Sequence, residues 1–176
     1  PLLTNYHDTR EALSLQVHPP KTIADHHPGT HLQTEAWYVL QNDPGATLYR
    51  GLKPGATKDQ FRTAINDGSA MDLVNAYPVK PGQCYFLPSG TVHALGAGIL
   101  VAEVQTPSDT TVRDFDFKRL ENGKPRKLHI EEALECIELQ GNEEPEKKGS
   151  DTAGHFTPVT RLVTTESITI EKHRCT

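Results

Sequence analysis

A chain of 176 residues is long enough to bury a core without disulfide or metal staples, and short enough to be one domain with or without an appendage. Its 23 acidic residues outnumber 18 dispersed basic ones, giving a net charge of −5 and no basic footprint of the kind a nucleic-acid partner needs. Mean hydropathy is −0.55, and no apolar run approaches the roughly 18 residues of a membrane-spanning helix.

Short strands punctuated by Gly and Pro dominate the chain. "ALSLQVH" (12–18) alternates, with Leu13, Leu15 and Val17 on one face and Ser14, Gln16 and His18 on the other. "DHHPGTH" (25–31) brings His26, His27 and His31 together, but as a Pro/Gly loop it reads as solvated polar chain that borders a pocket at most. "HLQTEAWYVL" (31–40) reads as a strand with Gln33, Glu35, Trp37 and Val39 on one face. A carboxylate sharing a face with the only tryptophan needs a partner if that face is buried.

"ATLYR" (46–50) is a further strand. "TKDQFRTAIND" (57–67) predicts a helix, with Thr57 and Gln60 in capping-box spacing and Phe61, Ala64 and Ile65 as its apolar stripe. "QCYFL" (83–87), "GILVAEVQ" (98–105) and "TTVRDFDF" (110–117) read as strands, and "NDPG", "KPG" and "PSG" as turns. "HIEEALECIEL" (129–139) predicts a second helix, with Ile130, Ala133, Leu134 and Ile137 inward. A polar linker over 140–157 follows, then two strands within 158–176 that read as the start of a truncated second β region. Cys84, Cys136 and Cys175 are far apart and odd in number, which suits reduced thiols; with no leader visible, a cytoplasmic protein is expected.

This pattern predicts a mostly β sandwich or barrel with one or two short helices. Gln16, His18 and Glu35 would be expensive on strands with two dry faces, so a barrel with a polar, ligand-filled interior is expected. Gln16 and His18 lie two apart on one strand, Glu35 opens another, and His93 ends the pattern Gly-x(5)-Pro-x-Gly-x(2)-His formed by Gly82, Pro88, Gly90 and His93. Two imidazoles, a carboxylate and an amide oxygen suit one divalent ion such as Zn, and also Fe, Mn, Co or Ni. Plainer roles exist for each: a hydrogen-bonded histidine, an arginine partner for Glu35, a loop-satisfying Gln16.

Gly82 to His93 resembles a signature of the cupin superfamily, a jelly-roll barrel family that binds metal. "LSLQVHPP", "TEAWYVL", "LYRGLKPG", "PVKPGQCYFLPSGTVHALGAGILVAEVQTPSDTTVRDFD" and "GKPRKLHIEEALECI" together resemble type I mannose-6-phosphate isomerases of the short bacterial kind, from about residue 3 to 139. The resemblance implies a cupin-type jelly-roll barrel over 1–139 and zinc on Gln16, His18, Glu35 and His93. It further implies Arg113 in the active site with Asp109 four residues before it, and interconversion of mannose 6-phosphate and fructose 6-phosphate through an enediol. On plainer readings Arg113 packs over Phe115 and Phe117, Asp109 makes an Asx turn, and Glu103 is an ion-pair partner rather than support for the metal. Related isomerases carry a lysine two residues before the ligand glutamate; here Gln33 stands there, a neutral amide that cannot replace the charge. The expected partner is a sugar phosphate touching Gln33, Glu103 and Arg113, with no nucleic acid or membrane. Exposed barrel edges allow a homodimer. A competing expectation is a metal-binding cupin that has lost turnover and acts as a sugar-phosphate binding or regulatory module.

Overall fold

The computed structural model describes residues 2–108, 110–139, 150–152, 159–166 and 168–173. Two sheets face each other. One orders β1 (Leu3–Thr9), β8 (Ile99–Gln105), β3 (Glu35–Asn42) and β6 (Cys84–Leu87) side by side, all antiparallel. The other orders β5 (Val74–Pro78), β4 (Thr47–Leu52), β7 (His93–Leu95), β2 (Leu15–Val17) and β9 (Val112–Phe115). Trp37, Val39, Tyr85, Leu87, Ile99 and Val101 of the first meet Leu48 and Leu95 of the second in a buried core. The fold is mostly β and cupin-type, as the strand pattern and the Gly82–His93 stretch imply.

Helices cover the back of the second sheet. One-turn α1 (Lys21–Ala24) is an element the periodicity does not announce. Helix α2 (Lys58–Asp67) starts where its capping box places it: Thr57 Oγ1 accepts from the Gln60 amide at 3.2 Å, and Gln60 Oε1 accepts from the Thr57 amide at 2.9 Å. Phe61 and Ile65 of its stripe pack in one core with Leu15, Val17 and residues of α3 (Ile130–Cys136), and Ala64 is buried as well. Thr57→Ala should therefore cost about 1 kcal/mol and lower the melting temperature by about 2–4 °C, read by calorimetry. Helix α3 is shorter than 129–139. Ile137 turns extended, and the next amide, of Glu138, donates to the Gly90 carbonyl at 2.9 Å.

Two register details differ from simple alternation. Leu13 does not share a face with Leu15 and Val17. It packs in the inter-sheet core while they face the helices, because Leu13 precedes β2, which begins only at Leu15. β1 itself has no apolar alternation to announce it, since Thr4, Tyr6 and Asp8 are exposed and Asn5 and His7 are polar.

The outer face of the first sheet is also covered. β13 (Val159–Thr164) pairs with β12 (Ser150–Thr152) and β14 (Thr169–His173). Leu162 and Val163 bury Ala36 and Cys84, with Tyr38, Phe86 and Ile170 alongside. That covering explains the unbroken apolar run after Glu35: both faces of β3 are dry there. Of the stretch read as linker, only Ser150–Thr152 falls among the described residues, and there it is a strand. Cys84 and Cys136 are buried; Cys175 lies outside the described residues. Among these residues no helix is long and apolar enough to cross a membrane. Hairpin β10 (Leu120–Glu121) and β11 (Lys124–Pro125) completes the elements.

Candidate metal centre

The two sheets bring their polar residues together at one end of the core. Across the second sheet, Arg113, Gln16, His93 and Arg50 stand in register on β9, β2, β7 and β4. Across the first, Leu3, Gln105, Glu35 and Leu87 form a row, and Asn5, Glu103, Trp37 and Tyr85 the next. The sheets face each other, so His93 and His18 meet Glu35. Their rings lie 5.0 Å apart, and His18, Glu35 and His93 are each at most 2% exposed.

Turn chemistry sets these positions. Gly90, at φ +84°, lets the Pro88–Thr91 turn close, and its amide donates to the His18 carbonyl at 2.8 Å. That contact ties the end of β2 to the entrance of β7. A side chain at residue 90 would also meet the Glu138 side chain at 2.8 Å.

The protons are placed by the backbone. His93 Nδ1 faces the Thr91 carbonyl at 2.8 Å, and His18 Nδ1 faces the Thr110 carbonyl at 3.1 Å. A carbonyl only accepts, so both Nδ1 atoms carry hydrogen and both Nε2 atoms of the neutral rings carry lone pairs. Those lone pairs aim at a carboxylate: His93 Nε2 is 3.2 Å from Glu35 Oε1, and His18 Nε2 is 3.4 Å from Glu35 Oε2. Acceptor faces acceptor, and Glu35 Oε1 finds no hydrogen-bond donor among the described residues. A cation resolves that conflict. One ligand atom from each residue lies within 4.8 Å of the others, and each imidazole's distance to its Glu35 oxygen is near the edge of about 3.4 Å around one ion with bonds of about 2.1 Å. The Gln16 amide, 3.4 Å from His93 Nε2, is a fourth donor once its oxygen is turned inward. The residues fit a divalent ion.

Electrostatics agree with ligand duty at His93, whereas at His18 the Glu35 charge favours a proton that an ion would displace. Burial drives the His93 imidazole down to about 4, against the pull of the Glu35 carboxylate, so it is neutral and ready to coordinate. For His18, burial works downward, but the hydrogen bond and charge of Glu35 outweigh it and hold the ring above its ordinary 6.5.

Beside the ligands lies a cavity of about 340 Å³, in the range of small-molecule sites. Gln16, His18, Gln33, Glu35, Glu103 and Gln105 line it, with Asn5 and His7 from β1. Gln33 Nε2 reaches His18 Nε2 at 3.1 Å, Glu35 Oε2 at 3.2 Å and Gln105 Oε1 at 3.3 Å. Glu103 accepts from Asn5 Nδ2 at 2.9 Å and from Trp37 Nε1 at 2.8 Å, and pairs with His7 Nε2 at 3.2 Å. Those partners hold it, despite burial, down to about 2.

Arg113 is not among the lining residues; its Nη1 donates to the Lys127 carbonyl at 3.3 Å. The cation over Phe117 is Arg119, at 5.4 Å, rather than Arg113. Asp109 lies outside the described residues. Sequence reasoning did not find Asn5, His7 or the indole donor of Trp37. The alternation of Leu3, Asn5 and His7 was the available signal, and it is masked by polarity on both faces.

No protein-family model matches the chain. It is 41% identical over 140 residues to the mannose-6-phosphate isomerase of Streptococcus mutans, and 41% over 141 residues to that of Bacillus subtilis. Each match covers 79% of this chain and 44% of the relative, so the chain spans less than half the length of these curated relatives. The crystal structure of the B. subtilis enzyme superposes with a TM-score of 0.88 at 33% identity, covering 98% of this chain and 55% of that one. A zinc-bound mannose 6-phosphate isomerase shares the fold, with a TM-score of 0.69 at 15% identity, over 98% of this chain and 62% of that one. By sequence and by fold, the chain belongs to the mannose-6-phosphate isomerase family.

Proposed function

We propose that this chain carries the metal and sugar-binding half of an aldose–ketose isomerase acting on mannose 6-phosphate and fructose 6-phosphate. One observation carries the reading: the Nε2 atoms of two buried imidazoles converge on the two oxygens of Glu35 beside an open cavity. His18, Glu35, His93 and Gln16 would hold one divalent ion, zinc being the metal bound in the structural relative. When bound, such an ion supplies Lewis-acid polarisation of the sugar oxygens.

The chain's own groups do the rest. The Thr91 and Thr110 carbonyls fix the ring tautomers of His93 and His18. Gln33, Gln105 and Asn5 offer amide donors to sugar hydroxyls. The reaction moves a proton between C1 and C2 through an enediol, which needs a base within reach of the carbon. Arg113 stands on β9 beside Gln16, and in this reading Arg113 and Asp109 hold the phosphate and shape the entrance.

Metal analysis of the purified chain, joined to an exchange assay with mannose 6-phosphate, tests the proposal. About one equivalent of metal and metal-dependent conversion to fructose 6-phosphate are expected. Metal with no exchange across several sugar phosphates would sink it. Gln33 keeps a second reading alive, because a neutral amide stands where relatives carry lysine. A metal-binding module that has lost turnover would be stabilised by sugar phosphate without converting it, and Gln33→Lys would then restore conversion.

A further inference from the structure

Once Gln16, His18, Glu35 and His93 are committed to the ion, two titratable groups remain among the described residues lining the cavity: His7 and Glu103. Gln33, Gln105, Asn5, Ser108 and Thr111 do not titrate near neutral pH. The reaction needs a group that accepts a proton and returns it.

Glu103 is a poor candidate. Oε1 takes the Asn5 amide and faces His7 Nε2, and Oε2 takes the Trp37 indole. A carboxylate with that many donors has little proton affinity left. His7 is the opposite case. It stands on edge strand β1, its side chain is 35% exposed, and its Nε2 is anchored on the ionised Glu103. With Nε2–H given to Glu103, Nδ1 is left to take up or release a proton. No hydrogen bond to Nδ1 from any described residue is seen. An imidazole oriented by a carboxylate, on the wall of a cavity that also holds the candidate metal ligands, is the arrangement of a base with its orienting group.

We propose that His7 is the proton carrier of this chain, held in place by Glu103, and that it moves the sugar proton between C2 and C1. This rests on the isomerase reading above. Neutral His7 takes the C2 proton through Nδ1. The C2–H pair becomes the C1=C2 bond, the C1 carbonyl pair moves to O1, and the imidazolium formed offsets the enediolate charge. A proton passes from O2 to O1 within the same molecule. The O2 pair then closes the C2 carbonyl, and the C1=C2 pair takes the proton back from His7 at C1. Nothing outside enzyme and substrate is consumed. The hydrogen bond to Glu103 favours the imidazolium, outweighs burial, and raises His7 above its ordinary 6.5, toward the working pH of such a base. His7 and Glu103 thus supply a proton carrier on a cavity wall where Gln33 brings no charge.

The test uses the full chain loaded with zinc, mannose 6-phosphate and D2O. The wild type should convert the sugar and wash deuterium from solvent into the C1/C2 positions. His7→Gln should lower kcat about 100-fold or more and slow deuterium wash-in equally, with KM and metal content nearly unchanged. Glu103→Gln, which leaves the imidazole without its charged anchor, should slow turnover less and shift the pH profile of kcat to lower pH. Equal wash-in by His7→Gln and wild type would overturn the role of His7 while leaving the isomerase reading intact. A fall matched by loss of metal would overturn it too, since His7 would then only support the cage. If the zinc-loaded wild type shows neither conversion nor wash-in, the isomerase reading fails, and this inference with it.

Discussion

Glu35→Gln is expected to cost the chain its metal before it costs the fold. Glu35 is the one anion of the proposed ligand set, and both its oxygens face imidazole nitrogens at 3.2 and 3.4 Å. The substitution keeps the shape and removes the charge. Losing one partner of a buried charge pair costs about 3–5 kcal/mol, so zinc affinity should fall on the order of 10³-fold. Wild type should gain melting temperature with added zinc as RT ln(1 + [L]/Kd) directs, and Glu35→Gln should gain almost none. The effects should be graded. His18→Ala and His93→Ala remove ligands whose tautomers the backbone has fixed, and they should approach Glu35→Gln. Gln16→Ala removes a neutral, half-buried amide and should cost far less. Equal zinc shifts in all four variants would mean that the ion, if bound, sits elsewhere.

The same residues show what a linear reading captures. His93 was legible because a turn with special backbone needs precedes it: Gly82 and Gly90 both sit at positive φ. Gln16 and His18 were legible as a pair because period-two spacing puts them on one face. What no spacing conveys is that β3 and β7 belong to different sheets and face each other. That is a tertiary fact, and here the family resemblance supplied it. β1 was illegible for a physical reason. It is an edge strand whose inner face meets a wet cavity, so Asn5 and His7 replace the apolar residues that period-two detection relies on. The groups nearest the substrate space are therefore the ones that pattern reading passes over. The alternation of 31–40 put Ala36 and Tyr38 on the face opposite Trp37, and what it did not convey is that β13 covers that outer face and keeps it dry. Trp37 was legible as filling, and its indole N–H, spent on Glu103 at 2.8 Å, was not. The helix signals carried through best, because caps and stripes are local.

Asp114 gives the second large effect, and it concerns stability. It sits on β9 with a fully buried side chain, and neither carboxyl oxygen has a hydrogen-bond partner among the described residues. Burial alone pushes its pKa well above 3.8. Its surroundings bring little relief. The Cys136 thiol nearby is itself driven up, to about 11, first by burial and then by the Asp114 charge, while Lys58 Nζ is spent on the Leu134 carbonyl at 2.6 Å. A carboxyl whose folded pKa exceeds its unfolded value contributes stability that is full below the unfolded value. That contribution is lost as pH rises toward the folded value. Asp114 is thus tolerable at pH 4 and increasingly costly at neutral pH. The cost grows as pH rises above the unfolded pKa and stops growing once the folded value is reached. Asp114→Asn keeps the shape and removes the titration. It should melt close to wild type at pH 4 and several degrees higher at pH 7.5, with the gap opening as pH rises above 4, read by calorimetry across that range. The carboxyl lies on the helix-covered side of β9, away from the residues lining the metal cavity, so zinc content should not change. A gap that stays constant with pH would show that Asp114 finds a charge partner in solution, and that the burial penalty is already compensated.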